Sequence, residues 1–122
     1  MMTELSKARK LTGWIISGLL VSLFLFSALG KFMMPEVAEN FSKWGIADWR
    51  IIIAFGEIIS AILFLIPRTN ILGLLLLSSH MGGAIMVHMS HQESFIFQAV
   101  ILVLIWVAGF LRNPELLTKL KG

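Results

Sequence analysis

Two ionisable residues in otherwise apolar runs, Glu57 and His80, carry the clearest chemical signal in this sequence. They flank the short turn Pro67-Arg68-Thr69-Asn70, Glu57 nine residues before Ile66 and His80 nine residues after Ile71. A helical hairpin closed by that turn therefore brings both to one depth. At ~1.5 Å per residue the depth is roughly 13 Å from the turn, close to the middle of a hydrocarbon core about 30 Å thick. A carboxylic acid facing an imidazole is a pair that can accept and hand on a proton near neutral pH. Leaving the carboxylate in lipid is costly, roughly 2.5–3.5 kcal/mol on insertion scales for Asp. Glu57 is thus expected to face the interior, either protonated or paired with a cation such as His80 or Lys31. Its functional reading is a proton acceptor or an anchor for a polar ligand head; its structural reading is a buried polar pair that sets helix register.

Lys31 and Gln98 join Glu57 and His80 as candidates for ligand binding or proton relay. His88 and His91, with Glu93 beyond them, are a weak metal set, because histidines in a loop at a membrane surface are usually solvated. His80 and His88 lie about 12 Å apart along one helix at ~1.5 Å per residue, so they cannot be the two axial ligands of one haem. A His–Met pair between helices or subunits stays open. Met33, Met34, Met81, Met86 and Met89 are more readily read as adaptable packing, and haem is disfavoured. The absence of cysteine removes disulfides, thiol catalysis and covalent haem attachment together. No phosphate loop, nucleophile elbow, zinc-protease motif or nucleotide fingerprint is present.

The elements that must position these residues are helices. Of 122 residues, 57% are hydrophobic and 14% charged, and the mean hydropathy is +0.88, which describes an integral membrane protein of one domain over 1–122. Apolar runs predict membrane-spanning helices near 11–30, 49–66, 71–89 and 95–111, joined as an antiparallel four-helix bundle by turns too short for anything except adjacent neighbours. The first run is too long and too poorly followed by a cleavage site to be a signal peptide. In that run Gly18 and Ser22 form a small-residue pair suited to close helix approach, and Ser17, Ser22 and Ser27 are expected to bond back to their own carbonyls. Between the first and second spans, Val37, Phe41 and Trp44 recur at helical spacing after Pro35 and before Gly45, which predicts a short amphipathic interfacial helix over 35–44. A lid over a ligand site is its functional alternative. Asp48 is the expected N-cap of the second span. Small residues crowd the third span at Gly73, Ser78, Ser79, Gly82, Gly83 and Ala84, some of them on the His80 face. A short tail after Asn113-Pro114 sets Leu116, Leu117 and Leu120 against Lys119 and Lys121.

An isoelectric point near 9.7 would suit nucleic acid in a soluble protein, but the ten Lys and Arg are scattered over ends and loops, with no basic run among aromatics. Nucleic acid is not expected as a partner; lipid headgroups and topology explain the charge. Placing both termini in the cytoplasm puts Lys7, Arg9, Lys10, Arg68, Arg112, Lys119 and Lys121 inside and only Lys31, Lys43 and Arg50 outside, as the positive-inside rule asks. A multi-pass protein of the cell membrane is expected.

A pattern then emerges along the chain: Gly30-Lys31, Pro35, Gly56-Glu57, Ile66-Pro67-Arg68-Thr69, Leu72-Gly73, Gly82-Gly83-Ala84, Trp106 and Leu111-Arg112-Asn113-Pro114. In order and spacing these resemble the DoxX-like family of small four-helix membrane proteins, from Leu11 to Pro114. The resemblance implies a transmembrane bundle and, for some relatives, association with quinone-linked sulfur oxidation or a membrane oxidoreductase complex. The first functional reading is accordingly a redox-linked accessory subunit binding a quinone or other small apolar molecule in the bundle. The second is a non-enzymatic scaffold or assembly factor whose small-residue faces bind membrane proteins, with a homo-oligomer also open. A small transporter ranks third, since four helices rarely enclose a pathway without dimerising.

Overall fold

The computed structural model describes residues 2–120. Across them the chain is all-helical: α1 (Met2–Met33), α2 (Pro35–Lys43), α3 (Arg50–Leu65), α4 (Asn70–Ser90), α5 (Ile96–Arg112) and α6 (Glu115–Leu120), with 3-10 turns at Ala47–Trp49 and Pro67–Thr69. Each long helix packs on two others, α1 on α3 and α5, and α4 on α3 and α5. Leu20, Phe24, Phe64, Leu74, Leu77, Met81, Ile105 and Ala108 form the buried core between them.

The breaks between helices follow from local chemistry. Met34 is extended (φ −96°, ψ 118°) because a residue before proline avoids the helical region, and Pro35 then opens α2 where its missing N–H costs nothing. At the far end Gly45 adopts φ +76°. The Gly45 N–H bonds Ser42 O at 3.1 Å and the Ile46 N–H bonds Phe41 O at 3.0 Å, the paired reversal that glycine permits at a helix C-terminus. The same logic ends α3, where Ile66 is extended before Pro67.

The orphan carbonyls at the end of α3 are then taken up by side chains from two places. Thr69 Oγ1 donates to Leu63 O at 2.8 Å, and Asn70 Nδ2 donates to Phe64 O at 2.6 Å. Arg112, arriving from α5, donates to Phe64 O at 2.8 Å and Leu65 O at 2.9 Å. Its guanidinium lies 4.0 Å over the Trp14 ring, and Nη1 donates to Ser17 Oγ at 3.1 Å. The Ile66-Pro67-Arg68-Thr69 and Arg112-Asn113 motifs therefore meet at one corner, where Asn113 also donates to Asn70. Gly73 completes that corner: a Cβ there would sit 2.1 Å from Phe64 N, so the first turn of α4 closes on α3 only with glycine.

Several expectations are corrected. α1 begins well before residue 11. Asp48 does not cap the second span, because it lies inside the 3-10 turn and α3 starts at Arg50 without a side-chain cap. Ser22 does bond back to Gly18 O, but Ser17 and Ser27 use their hydroxyls to accept from Arg112 and Lys31. Gly18 faces outward with nothing within 4 Å of an added Cβ, so among the described residues no other helix uses its face. The tail helix α6 presses Leu116 on the core and leaves Leu117 and Leu120 exposed; Lys121 lies outside the described residues.

The surface inverts the pattern of a soluble domain. Large apolar side chains such as Leu19 (68% exposed) and Val103 (61%) point outward, whereas Ser17, Lys31, Glu57, Ser60 and Asn70 are buried. Two helices, Ser6–Met33 and Pro67–Ser90, are long and apolar enough to cross a bilayer. An exterior of this kind suits lipid rather than water.

Candidate functional site

Glu57 projects from the middle of α3 into the space between α1 and α4 and is only 2% exposed. The equal count from the turn does bring His80 to its layer: Glu57 Oε2 lies 3.3 Å from His80 Nε2. Closer still is Lys31, in the last turn of α1, whose Nζ lies 2.7 Å from Glu57 Oε1. Lys31 is itself buried and also donates to Ser27 Oγ at 2.9 Å, one helical turn back. Each carboxylate oxygen thus faces its own donor, and an ionised carboxylate only accepts, so in the paired state His80 turns Nε2–H toward it. The Phe24 and His80 rings meet in a T-shaped contact with centroids 6.1 Å apart. Three helices therefore fix the Lys31–Glu57–His80 set, and the buried pair satisfies the demand that a charge taken from water be matched at once.

This set forms part of the wall of a cavity of about 550 Å³, a volume within the range of small-molecule sites. The rest of the wall is mostly apolar, with Leu23, Phe26, Ile53, Val87 and Phe97 among its residues, and Gly83 keeps one side open. Val37 and Phe41 of α2 and Trp44 just past its end contribute to the lining, so the apolar stripe of the interfacial segment turns onto the cavity, with Phe41 buried.

Two of the remaining candidates, His88 and Gln98, meet at a second polar station lining the same cavity. His88 Nδ1 is 3.0 Å from Ala84 O, and His88 Nε2 is 3.3 Å from Gln98 Nε2. The Trp44 ring packs tilted against His88 with centroids 5.1 Å apart, and its indole N–H donates to Glu93 Oε1 at 3.1 Å, which ties the end of α2 to the α4–α5 connection. His91 turns away, with Nδ1 2.9 Å from Val87 O, so it does not converge with His88. Among the described residues no three potential metal ligands come together. Ser27 and Phe24 were not singled out for this site by sequence, and Trp44 and Glu93 were named there only as part of an amphipathic stripe and beside a weak metal set. Ser27 carried a usable signal, since it precedes Lys31 by one helical turn; Phe24 meets the site only through tertiary packing.

An apolar exterior, buried charges and a cavity between helices define a small helical membrane protein. The chain belongs to the DoxX-like family, which it matches over residues 15–108. No curated protein matches the chain. No solved structure matches it either.

Proposed function

We propose that this protein is a redox-linked membrane accessory subunit that receives a quinone, or another small apolar molecule with a polar head, in the cavity between its helices. In this reading α1, α3, α4 and α5 cross the cell membrane as an antiparallel bundle with both termini cytoplasmic, the arrangement that the distribution of basic residues favours. One observation carries the proposal: an apolar cavity of about 550 Å³ is lined by the buried Lys31–Glu57 pair and the half-buried His80. Apolar walls with a few convergent polar groups hold and orient a hydrophobic ligand. Lys31 donates to a ligand oxygen, while the Glu57–His80 pair stands where a proton is taken up or released. The direct test is extraction of the purified protein followed by mass spectrometry and an absorbance spectrum. A quinone recovered near one per chain supports the reading; protein carrying only bulk phospholipid, with no quinone taken up on addition, contradicts it.

A second reading, a scaffold for partner membrane proteins, rests on a different observation. Gly18 and Ser22 present an outward small-residue face that no helix among the described residues occupies. Partners co-purifying with the wild type and lost on Gly18→Leu would favour it.

A further inference from the structure

A second hollow lies at the end of the bundle away from α2, where α1, α4 and α5 meet the close of α3. Its volume is about 230 Å³, and Lys10, Trp14, Pro67, Asn70, Arg112 and Asn113 line it. It shares none of these residues with the larger cavity. The lining holds two cations and no carboxylate. Its two asparagines belong to the frame: Asn113 donates to Asn70 and to Gly109 O, and Asn70 donates to Phe64 O.

Arg112 is fixed in that frame with its charge unmatched. Nη1 donates to Ser17 Oγ and Phe64 O, and Nη2 donates to Leu65 O, all of them neutral acceptors. The Trp14 ring lies 4.0 Å and the Phe64 ring 5.5 Å from the guanidinium carbon. A guanidinium has five N–H donors. The Nε–H and the second Nη2–H find no partner among the described residues. Neither Arg112 nor Lys10 forms an ion pair among the described residues, although Glu115 opens the next helix. A cation held in place by neutral groups needs no rearrangement to receive an anion.

The position of the hollow says where that anion comes from. Lys10 directly precedes the exposed, apolar Leu11, and Pro67 directly follows the exposed, apolar Ile66. The hollow therefore sits where the lipid-facing flank gives way to the polar end, the level at which an indole such as Trp14 is at home. We propose that it binds the headgroup phosphate of an anionic phospholipid. Arg112 donates a charge-assisted hydrogen bond to a phosphate oxygen, and Lys10 supplies the second positive charge. In the topology proposed above the hollow faces the cytoplasmic leaflet, whose anionic lipids are drawn to basic pockets between helices. Binding here does not depend on what the larger cavity holds. A choline headgroup offers the same phosphate but sets its own ammonium against two cations, so a headgroup of net negative charge is preferred.

The test is native mass spectrometry of the full-length protein in detergent, titrated with dioleoylphosphatidylglycerol or dioleoylphosphatidylcholine, with inorganic phosphate as a competitor in a third arm. The first phosphatidylglycerol is expected to bind the wild type about tenfold more tightly than the first phosphatidylcholine, and to stay bound when phosphate is added in excess. Lys10→Glu brings the two lipids to near-equal affinity, and Lys10→Gln falls between. Arg9→Glu makes the same charge change one residue away, on a side chain that does not line the hollow, and keeps most of the preference. Both positions are exposed, and circular dichroism melts establish that the variants fold. No preference in the wild type overturns the inference. Equal losses in Lys10→Glu and Arg9→Glu overturn it too, because diffuse surface charge then does the binding. Displacement of phosphatidylglycerol by inorganic phosphate at comparable concentration assigns the hollow to a soluble phosphate and overturns the lipid source.

Discussion

Lys31 and Glu57 stabilise each other only as a pair. Either one alone would be a buried charge, and breaking such a pair from one side costs about 3–5 kcal/mol. Lys31→Met is therefore expected to lower stability by that order, seen as a lower melting temperature in detergent. Glu57→Gln removes the charge but keeps the shape and should melt closer to the wild type than Glu57→Leu does. In the double variant Lys31→Met with Glu57→Gln, the loss should be smaller than the sum of the single losses, because the two residues are in contact. Additive losses would mean that the 2.7 Å contact contributes little. The meeting of Glu57 with His80 was legible in the sequence because both are counted from one turn, and the cost of a carboxyl in lipid argued for the inward rotation. The meeting with Lys31 was not fixed in the same way. Between α1 and α3 lie α2 and a 3-10 turn, and no count carries depth across them. Gln98 was legible only as a polar residue in an apolar run; its meeting with His88 depends on how α4 and α5 pack, which sequence does not hold.

At the scale of elements, the corner where α3 ends is the most constrained part of the chain. Gly73→Ala places a methyl 2.1 Å from a backbone nitrogen, which no side-chain rotation relieves. It should cost about 3 kcal/mol or more, or prevent folding, as read by melting and yield. Arg112→Lys keeps the charge but loses the fork that spans two carbonyls, and should cost about 1–3 kcal/mol. A melt within error of the wild type would show that the fork at Phe64 O and Leu65 O is dispensable. α2 is held more lightly. Trp44→Phe retains an aromatic ring but loses the N–H to Glu93, so the α2 amides should exchange with deuterium roughly fivefold faster. Unchanged exchange would show that packing alone holds this helix over the cavity. The amphipathic stripe of α2 was plain from spacing. Periodicity defines a face but not its partner, and here the partner is the cavity of the same chain.

At the scale of the whole molecule, an apolar outside and a polar inside are two consequences of one solvent. Lipid leaves Leu19 and Val103 content at the surface, and the buried Lys31, Glu57 and Asn70 must find partners within the chain. Composition made the membrane class legible, and the ordered short motifs made the family legible. The cavity was not, because its walls come from α1 to α5 and its volume depends on how far α2 stands from the long helices. With four crossings, reporter fusions to the two termini should score on the same cytoplasmic side; opposite sides would refute that topology. The central claim, that the cavity holds a small apolar ligand with a polar head, is tested most directly by blocking it. Gly83 lines the cavity, and an added Cβ there meets nothing within 4 Å, so Gly83→Phe should fold and fill the space. The decisive measurement is the amount of quinone bound per chain, by extraction and mass spectrometry, in the wild type and in Gly83→Phe purified side by side. Near one per chain in the wild type and near none in Gly83→Phe is the predicted result; equal amounts in the two, or none in either even after quinone is added, would contradict it.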